Sequence, residues 1–428
     1  MSAVAGESAG ALLWRLWRDP AAWITTTDIF IILIALSLPW STSLVAIFAV
    51  AALVAMAPLF DAKAFLRSLK RPISVFPVAL FALALVGTLW SDAPWGARLY
   101  AVGPAAKLLM LPVLFYHFER STRGVQVFTA FLVSCILLMA MSWLVAFDPQ
   151  LALKSNAAYG VPVKNYIDQS QEFALCAVVL AYPVIALLRA GRIATALVLS
   201  AIVLSFLFNM AFVVVSRTVL VTMPVMLAVF AMLHLRWRTS VIILCVAIVL
   251  AGLAFAASPR LRWTIETFAR DYNLYMEQDV PTSIGLRLEY WQKSLRLFVE
   301  APIFGHGTGS TRGLFEQAAA GRAGAAADVV SNPHNQTLSI AVQWGAVGIV
   351  ALYAMWLAHL LLFRGDGLIA WIGLMVVVQN FFTSLFNSHI FDFNEGWMYV
   401  LGVGIAGGMV LKTGSRVGTP RSGSYAKS

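Results

Sequence analysis

Charge is the scarcest resource in this 428-residue chain. Asp, Glu, Lys and Arg make up only 12% of it, while 60% is hydrophobic and the mean hydropathy is +0.82. A soluble domain carries about 25% charged residues, so this composition excludes a soluble globular fold. Cysteine is equally sparse. The three present, Cys135, Cys176 and Cys245, lie inside apolar runs, which excludes a disulfide framework or a thiolate metal cluster. No H-x-x-x-H pair or Cys/His cluster occurs, and no internal repeat is apparent. The first twenty residues lack an apolar core and a small-residue cleavage site, so the first apolar run is expected to serve as an uncleaved insertion signal.

What is present is a succession of apolar runs. A helical span needs about 20 mostly apolar residues. Twelve runs meet that description, near 22–38, 42–59, 72–90, 99–117, 125–147, 169–188, 193–214, 218–235, 240–257, 338–363, 367–386 and 396–411. The expected fold is therefore an all-α polytopic membrane protein with about twelve transmembrane helices. The net charge of +10 does not indicate nucleic acid. Lys63, Arg67, Lys70, Arg71, Arg120, Arg123, Arg189, Arg192, Arg236, Arg238 and Arg364 sit in alternate short connections. Arg15 and Arg18 precede the first run, and Lys412, Arg416, Arg421 and Lys427 follow the last. By the positive-inside rule these segments face the cytoplasm. The implied organisation is a cytoplasmic N-terminus over 1–21, nine spans over 22–257, a large periplasmic loop over 258–336, three spans over 337–411 and a cytoplasmic tail over 412–428.

The long loop is nearly neutral. Apolar residues at Leu288, Trp291, Leu295 and Phe298 predict an amphipathic helix over 286–299. Pro302, Gly305, Gly307 and Gly309 predict turns, and 318–327 is a weakly specified small-residue segment. The loop ends in Ser331-Asn332-Pro333-His334-Asn335-Gln336. Pro333 suits a first helical turn. A helix from there would place His334 on one stripe with Leu338, Ala341, Gly345 and Gly348, at the membrane surface. A neutral imidazole there can accept a proton from a sugar hydroxyl; a helix-capping histidine with no chemical role fits the same spacing. Arg217 stands at the outer end of a run, against the charge bias. It needs either an acidic partner, an anionic ligand such as a diphosphate, or a path to the interface. Arg287 opens the amphipathic helix, where a phosphate or an acid such as Glu289 or Glu300 could engage it. Lys107, midway along a run, either faces the protein interior or snorkels. His389, in Ser388-His389-Ile390-Phe391-Asp392, lies on the loop side within reach of such a site. Glu277 and Asp279 form a short acid-x-acid match that arises easily by chance.

These residues together resemble the O-antigen ligase family, the lipid A-core surface polymer ligases of Gram-negative bacteria. The family signature is a histidine, then Asn, Ser or Gln, nine residues, and G-x-x-G. Here it reads His334-Asn335, Gln336 to Trp344, then Gly345-Ala346-Val347-Gly348. Ser216-Arg217 at the end of a span, Arg287 four residues before Trp291, and Pro302 to Gly307 as P-x-F-G-x-G follow in the expected order. The motifs occupy 216–348, and earlier residues match in hydropathy alone. The resemblance implies a GT-C-like glycosyltransferase of the inner membrane, without metal or other cofactor. It would move a glycan from undecaprenyl diphosphate onto a sugar hydroxyl of lipid A-core, with inversion. His334 would be the general base, and Arg217 and Arg287 would hold the diphosphate. Asn335, Lys107 and His389 are further candidates for substrate binding. An O-antigen polymerase or a protein O-oligosaccharyltransferase would use the same donor. A transporter would explain the spans but not the loop ending in His334.

Overall fold

The computed structural model describes residues 19–155 and 158–417. Arg15, Arg18, Arg421 and Lys427, with most of the expected N-terminal segment and tail, lie outside the described residues. The described chain is all helical. In order it forms α1 (Pro20–Ser37), α2 (Thr42–Met56), α3 (Ala62–Leu69), α4 (Pro72–Val86), α5 (Trp95–Ala106), α6 (Met110–Phe118), α7 (Gly124–Phe147), α8 (Tyr166–Arg189), α9 (Ile193–Phe212), α10 (Arg217–His234) and α11 (Trp237–Ala257). The segment between runs nine and ten folds as α12 (Pro259–Gln278), α13 (Ser283–Glu300) and α14 (Thr311–Ala319). The chain then closes with α15 (Gln336–Leu362), α16 (Leu368–Thr383) and α17 (Phe393–Val417).

Ten helical segments among the described residues are long and apolar enough to cross a membrane. The protein is thus a polytopic membrane protein, with ten such segments where the sequence suggests twelve. The other two apolar runs fold as helices of different character. Helix α16 stops after 16 residues, because the chain must turn at Ser384 to meet the start of α15: Gln336 N donates to Ser384 O at 2.9 Å. Helix α17 opens on Asn394 and Glu395 and is rich in glycine, which dilutes its hydropathy.

The core is built around α17. It packs on α6 and α16 and also touches α7, α8 and α15. Buried Trp344, Trp356, Trp371, Phe115, Phe118 and Tyr399 fill the spaces between. Helix α11 is the opposite case. None of its residues is buried, and only a narrow stripe through Ser240, Ala247 and Ala254 is partly covered, so most of its circumference is available to lipid.

The long loop is more helical than its sequence patterning suggests. Ser258 caps α12 by accepting from Leu261 N at 3.2 Å, and α12 packs on α9 and α13. Helix α13 extends the predicted amphipathic segment by a few residues at its start and lies against α15. Residues 318–327 split between the end of α14 and a short 3-10 turn at Gly324–Ala327. Lys293 secures that turn by donating to Ala326 O at 2.6 Å and Asp328 O at 3.0 Å.

The two glycine motifs meet inside the bundle. Helix α15 breaks at Gly345, whose φ of 59° and ψ of −154° lie outside the helical region. The backbone of residues 302–307 inserts at the break. Ala346 N donates to Pro302 O at 2.8 Å and His306 N to Val342 O at 2.8 Å. A Cβ on Gly345 would lie 2.4 Å from Ile303 O, and one on Gly305 would lie 2.5 Å from Gln343 C. Trp344 closes the joint by donating its indole N–H to Thr308 Oγ1 at 2.9 Å.

Candidate functional site

His334 is not on the helix that its sequence suggests. Asn335 caps α15 by accepting from Leu338 N at 3.1 Å, so the first helical residue is Gln336. His334 lies before the cap, with φ of +52°. The left-handed region is unfavourable for a histidine, and a polar turn holds it there. Asn332 Oδ1 accepts from His334 N at 3.0 Å and from Ser388 Oγ at 2.7 Å. The bent backbone turns the ring away from the stripe of Leu338 and Ala341 and toward the turn between α16 and α17.

That turn supplies the partner. Asn387 directs its amide N–H to Asp392 Oδ2 at 2.7 Å, so its carbonyl oxygen faces His334 Nδ1 at 2.9 Å. Nδ1 must then donate, which leaves the lone pair on Nε2. The ring lies beside Tyr290, with centroids 5.9 Å apart. Burial and then the neighbouring Arg287 push the His334 pKa below its ordinary value, against the hydrogen bond to Asn387. A neutral imidazole with one open nitrogen is a proton acceptor.

The arginines converge from different elements. Arg287 projects from α13 and is half-buried. Among the described residues no acid pairs with it: Glu289 instead accepts from Tyr275 at 2.6 Å. Burial and nearby Arg217 push its pKa down, against the influence of Tyr166. Arg217 is the first residue of α10. It meets Asp271 of α12 at 3.0 Å and lies over Phe268 with its Cζ 5.0 Å from the ring centroid. With Asp271 paired to Arg217 alone, the two neighbouring guanidiniums leave an excess of positive charge, which suits an anionic ligand.

The other candidates fall into place around this centre. Asn335 spends its oxygen on the helix cap and its N–H on Leu385 O at 3.1 Å. Lys107 neither snorkels nor stands alone. A 3-10 turn after α5 aims it at Phe391 O, 3.0 Å away, and at Asp392 O. His389 is 1% exposed, and neither ring nitrogen has a hydrogen-bond partner among the described residues. Its Nε2 lies 4.0 Å from Asp392 and 3.9 Å from Glu395. Burial, then Arg287 and His334, push its pKa down to about 3. Burial likewise raises Asp392 to about 7, with Lys107 opposing. Ligand atoms of His389, Asp392 and Glu395 lie within 4.8 Å of one another, a grouping that could hold a metal ion. Glu277 and Asp279 do not join it: Glu277 is exposed near the end of α12, and Asp279 is the helix's left-handed cap.

The sequence alone does not single out Asn387, Asp392, Asn332 or Lys164. Lys164 approaches from the connection before α8, donating to Asn394 Oδ1 at 2.7 Å and to Leu38 O. Asn394 in turn donates to Glu172 at 2.7 Å. The available signal is the density of polar residues over 384–395 between two apolar runs, since such groups require internal partners.

The family described as O-Antigen ligase matches residues 201–353. That interval begins within α9, takes in Arg217, Arg287 and His334, and ends in α15 beyond Gly345 and Gly348. No curated protein matches the chain. That family carries ligase- and polymerase-type glycosyl transfer from lipid-linked glycans in a membrane. Residues 201–353, which carry these motifs within the multi-pass helical bundle, are thus similar to the O-antigen ligase family.

Proposed function

We propose that this protein is an O-antigen ligase of a Gram-negative inner membrane. It transfers a glycan from undecaprenyl diphosphate to a sugar hydroxyl of lipid A-core. In this reading the 258–336 loop is periplasmic, residues 1–21 and 412–428 are cytoplasmic, and the architecture is GT-C-like. The observation that carries it is the pairing of a neutral His334, open at Nε2, with the unpaired Arg287 guanidinium beside Arg217.

The chemistry follows from charge. The acceptor hydroxyl loses its proton to His334 Nε2 as its oxygen forms a bond to the anomeric carbon. The bond from that carbon to the diphosphate oxygen breaks, and its electrons leave with the diphosphate. Entry opposite the leaving group inverts the carbon. Arg217 and Arg287 hold the growing negative charge, so the reaction proceeds without a metal. Such fixed electrostatic contacts are each worth about 10²–10³-fold in rate, and a positioned base about 10²–10⁴-fold. Asp271 holds Arg217 until the diphosphate displaces it. Lys107 supports the 391–392 carbonyls that orient Asp392.

Purified protein given undecaprenyl-diphosphate glycan and lipid A-core should produce the lipopolysaccharide band shift. His334→Ala should abolish it while the protein still inserts and folds; wild-type-like transfer by that variant would sink the base assignment. Turnover should survive chelation. Loss of activity restored by Mg²⁺ or Mn²⁺ would implicate the His389, Asp392 and Glu395 grouping instead. Offering a second donor glycan or a peptide in place of lipid A-core separates ligation from polymerisation and protein glycosylation.

A further inference from the structure

A polar cavity of about 350 Å³ lies beside the His334 turn. This is within the range of roughly 300–1,000 Å³ occupied by small-ligand sites. Its mouth is formed by the exposed Thr42, at the start of α2, and Asn165, which caps α8. Its deeper walls are Lys164, Asp168, Asn387, Asp392, Asn394 and Glu395. An opening of this polarity at the end of a membrane bundle is not packing space, since apolar side chains would fill it at less cost.

The cavity adjoins the proton acceptor through Asn387. Asn387 belongs to both places: its oxygen holds His334 Nδ1, and its amide group lines the cavity. Arg217 stands on α10, which packs on α8 and α16. Lys164 precedes α8, and Asn394 and Glu395 open α17.

The wall chemistry specifies the ligand. Lys164 and Asn394 are already engaged with each other, with Leu38 and with Glu172. The cavity is also lined by the carboxyl groups of Asp168, Asp392 and Glu395, whose oxygens accept hydrogen bonds from hydroxyls. A phosphate there would meet three carboxyl groups with one engaged lysine to offset them.

We propose that this cavity seats the terminal sugar of the acceptor, and that it takes an unphosphorylated, hydroxyl-rich ring. The assignment rests on the ligase reading for the identity of the acceptor. It names what that reading leaves open, namely where the acceptor's terminal ring is seated and which sugars are refused.

The test is equilibrium binding of lipid A-core to the full-length protein in nanodiscs without donor, alongside transfer kinetics. Thr42→Trp places a large ring at the exposed mouth without altering any buried contact. It should weaken lipid A-core binding at least tenfold and raise the acceptor KM similarly, with the donor KM unchanged. A core whose terminal sugar carries a phosphate should bind at least tenfold more weakly than the unphosphorylated form. Asp168→Asn should narrow that gap, a response that a purely structural role would not give. Unchanged acceptor binding by Thr42→Trp, no lipid A-core binding by the wild type, or equal binding of the phosphorylated core would each overturn the assignment. Binding sensitive to Thr42→Trp without any transfer by the wild type would support the cavity and overturn the ligase reading instead.

Discussion

Replacing Asn387 with alanine isolates the positioning of His334 from its chemistry. The side chain makes two contacts that bear on the ring: it accepts from Nδ1 at 2.9 Å and is itself fixed by donating to Asp392 at 2.7 Å. A neutral hydrogen bond contributes about 0.5–1.5 kcal/mol and one to a charged group about 1.5–3 kcal/mol. Only the first acts on the imidazole directly; the second acts through the orientation of the amide. A net loss of about 1–3 kcal/mol of transition-state stabilisation corresponds to roughly 5- to 150-fold in kcat. That is less than the loss from removing the base itself, about 10²–10⁴-fold. Because Asn387 would act through the ring, kcat should fall with the donor KM unchanged. The companion change Asn387→Asp supplies the sign. Burial and Arg287 hold the His334 pKa below its ordinary value, so wild-type activity should persist below the usual histidine range and fall only as pH drops through the lowered value. A carboxylate at Nδ1 stabilises the imidazolium and raises the pKa. The acidic limb of the kcat profile should therefore move to higher pH. The assay is the lipopolysaccharide band shift followed from pH 5 to 9. Wild-type kcat in Asn387→Ala together with an unmoved acidic limb in Asn387→Asp would refute the reasoning.

Three further outcomes are expected. Asp271→Ala frees Arg217 from a partly exposed ion pair worth about 0.2–1 kcal/mol, so the donor KM should drop by up to roughly 5-fold; an increase would show that Asp271 orients the arginine rather than competing for it. Arg287→Lys should recover only part of the donor affinity lost in Arg287→Ala, because an ammonium cannot offer a two-pronged contact; full recovery in a donor-binding titration would argue against it. Gly345→Ala puts a Cβ against Ile303 O at a backbone angle that disfavours side chains. Strain of this type is about 1–3 kcal/mol before the clash is counted, and a lowered melting temperature on size-exclusion chromatography after heating would register it.

The helices were legible because lipid imposes one rule on all of them, and long apolar runs have few other outcomes. The ends were less so. Helix α16 is short because of a hydrogen bond from Gln336, nearly fifty residues earlier in the chain, and no local pattern carries that information. At the site, His334, Arg287 and Arg217 stood out because each is a costly group in an apolar or membrane-edge setting. Their partners did not. Asp271 reaches Arg217 only because α12 forms and packs back near the start of α10, a meeting of residues more than fifty positions apart that no local pattern encodes. Pro333 favours a helix that includes His334, yet Asn335 is the better cap, and a single left-handed residue moves the ring to another neighbour. Gly345 and Gly348 looked equivalent as small residues for close packing. The first is instead a break in the helix, and the second packs against Ile340 and Trp344.

The break at Gly345 bears on modularity. The half of α15 beyond it begins a fresh helix, whose first amide groups have no carbonyl of their own turn to bond. Pro302 and Ile303 supply those carbonyls, to Ala346 and Val347. Within a bilayer each unmet amide is a penalty of several kcal/mol. The polar segment is therefore structural material of a membrane helix, reaching down into it from above. Grafting the loop onto a related bundle, or excising it to leave the spans alone, should fail at the level of the bundle itself. Domain exchange in this protein has to carry residues 302–307 and 342–347 together as one unit.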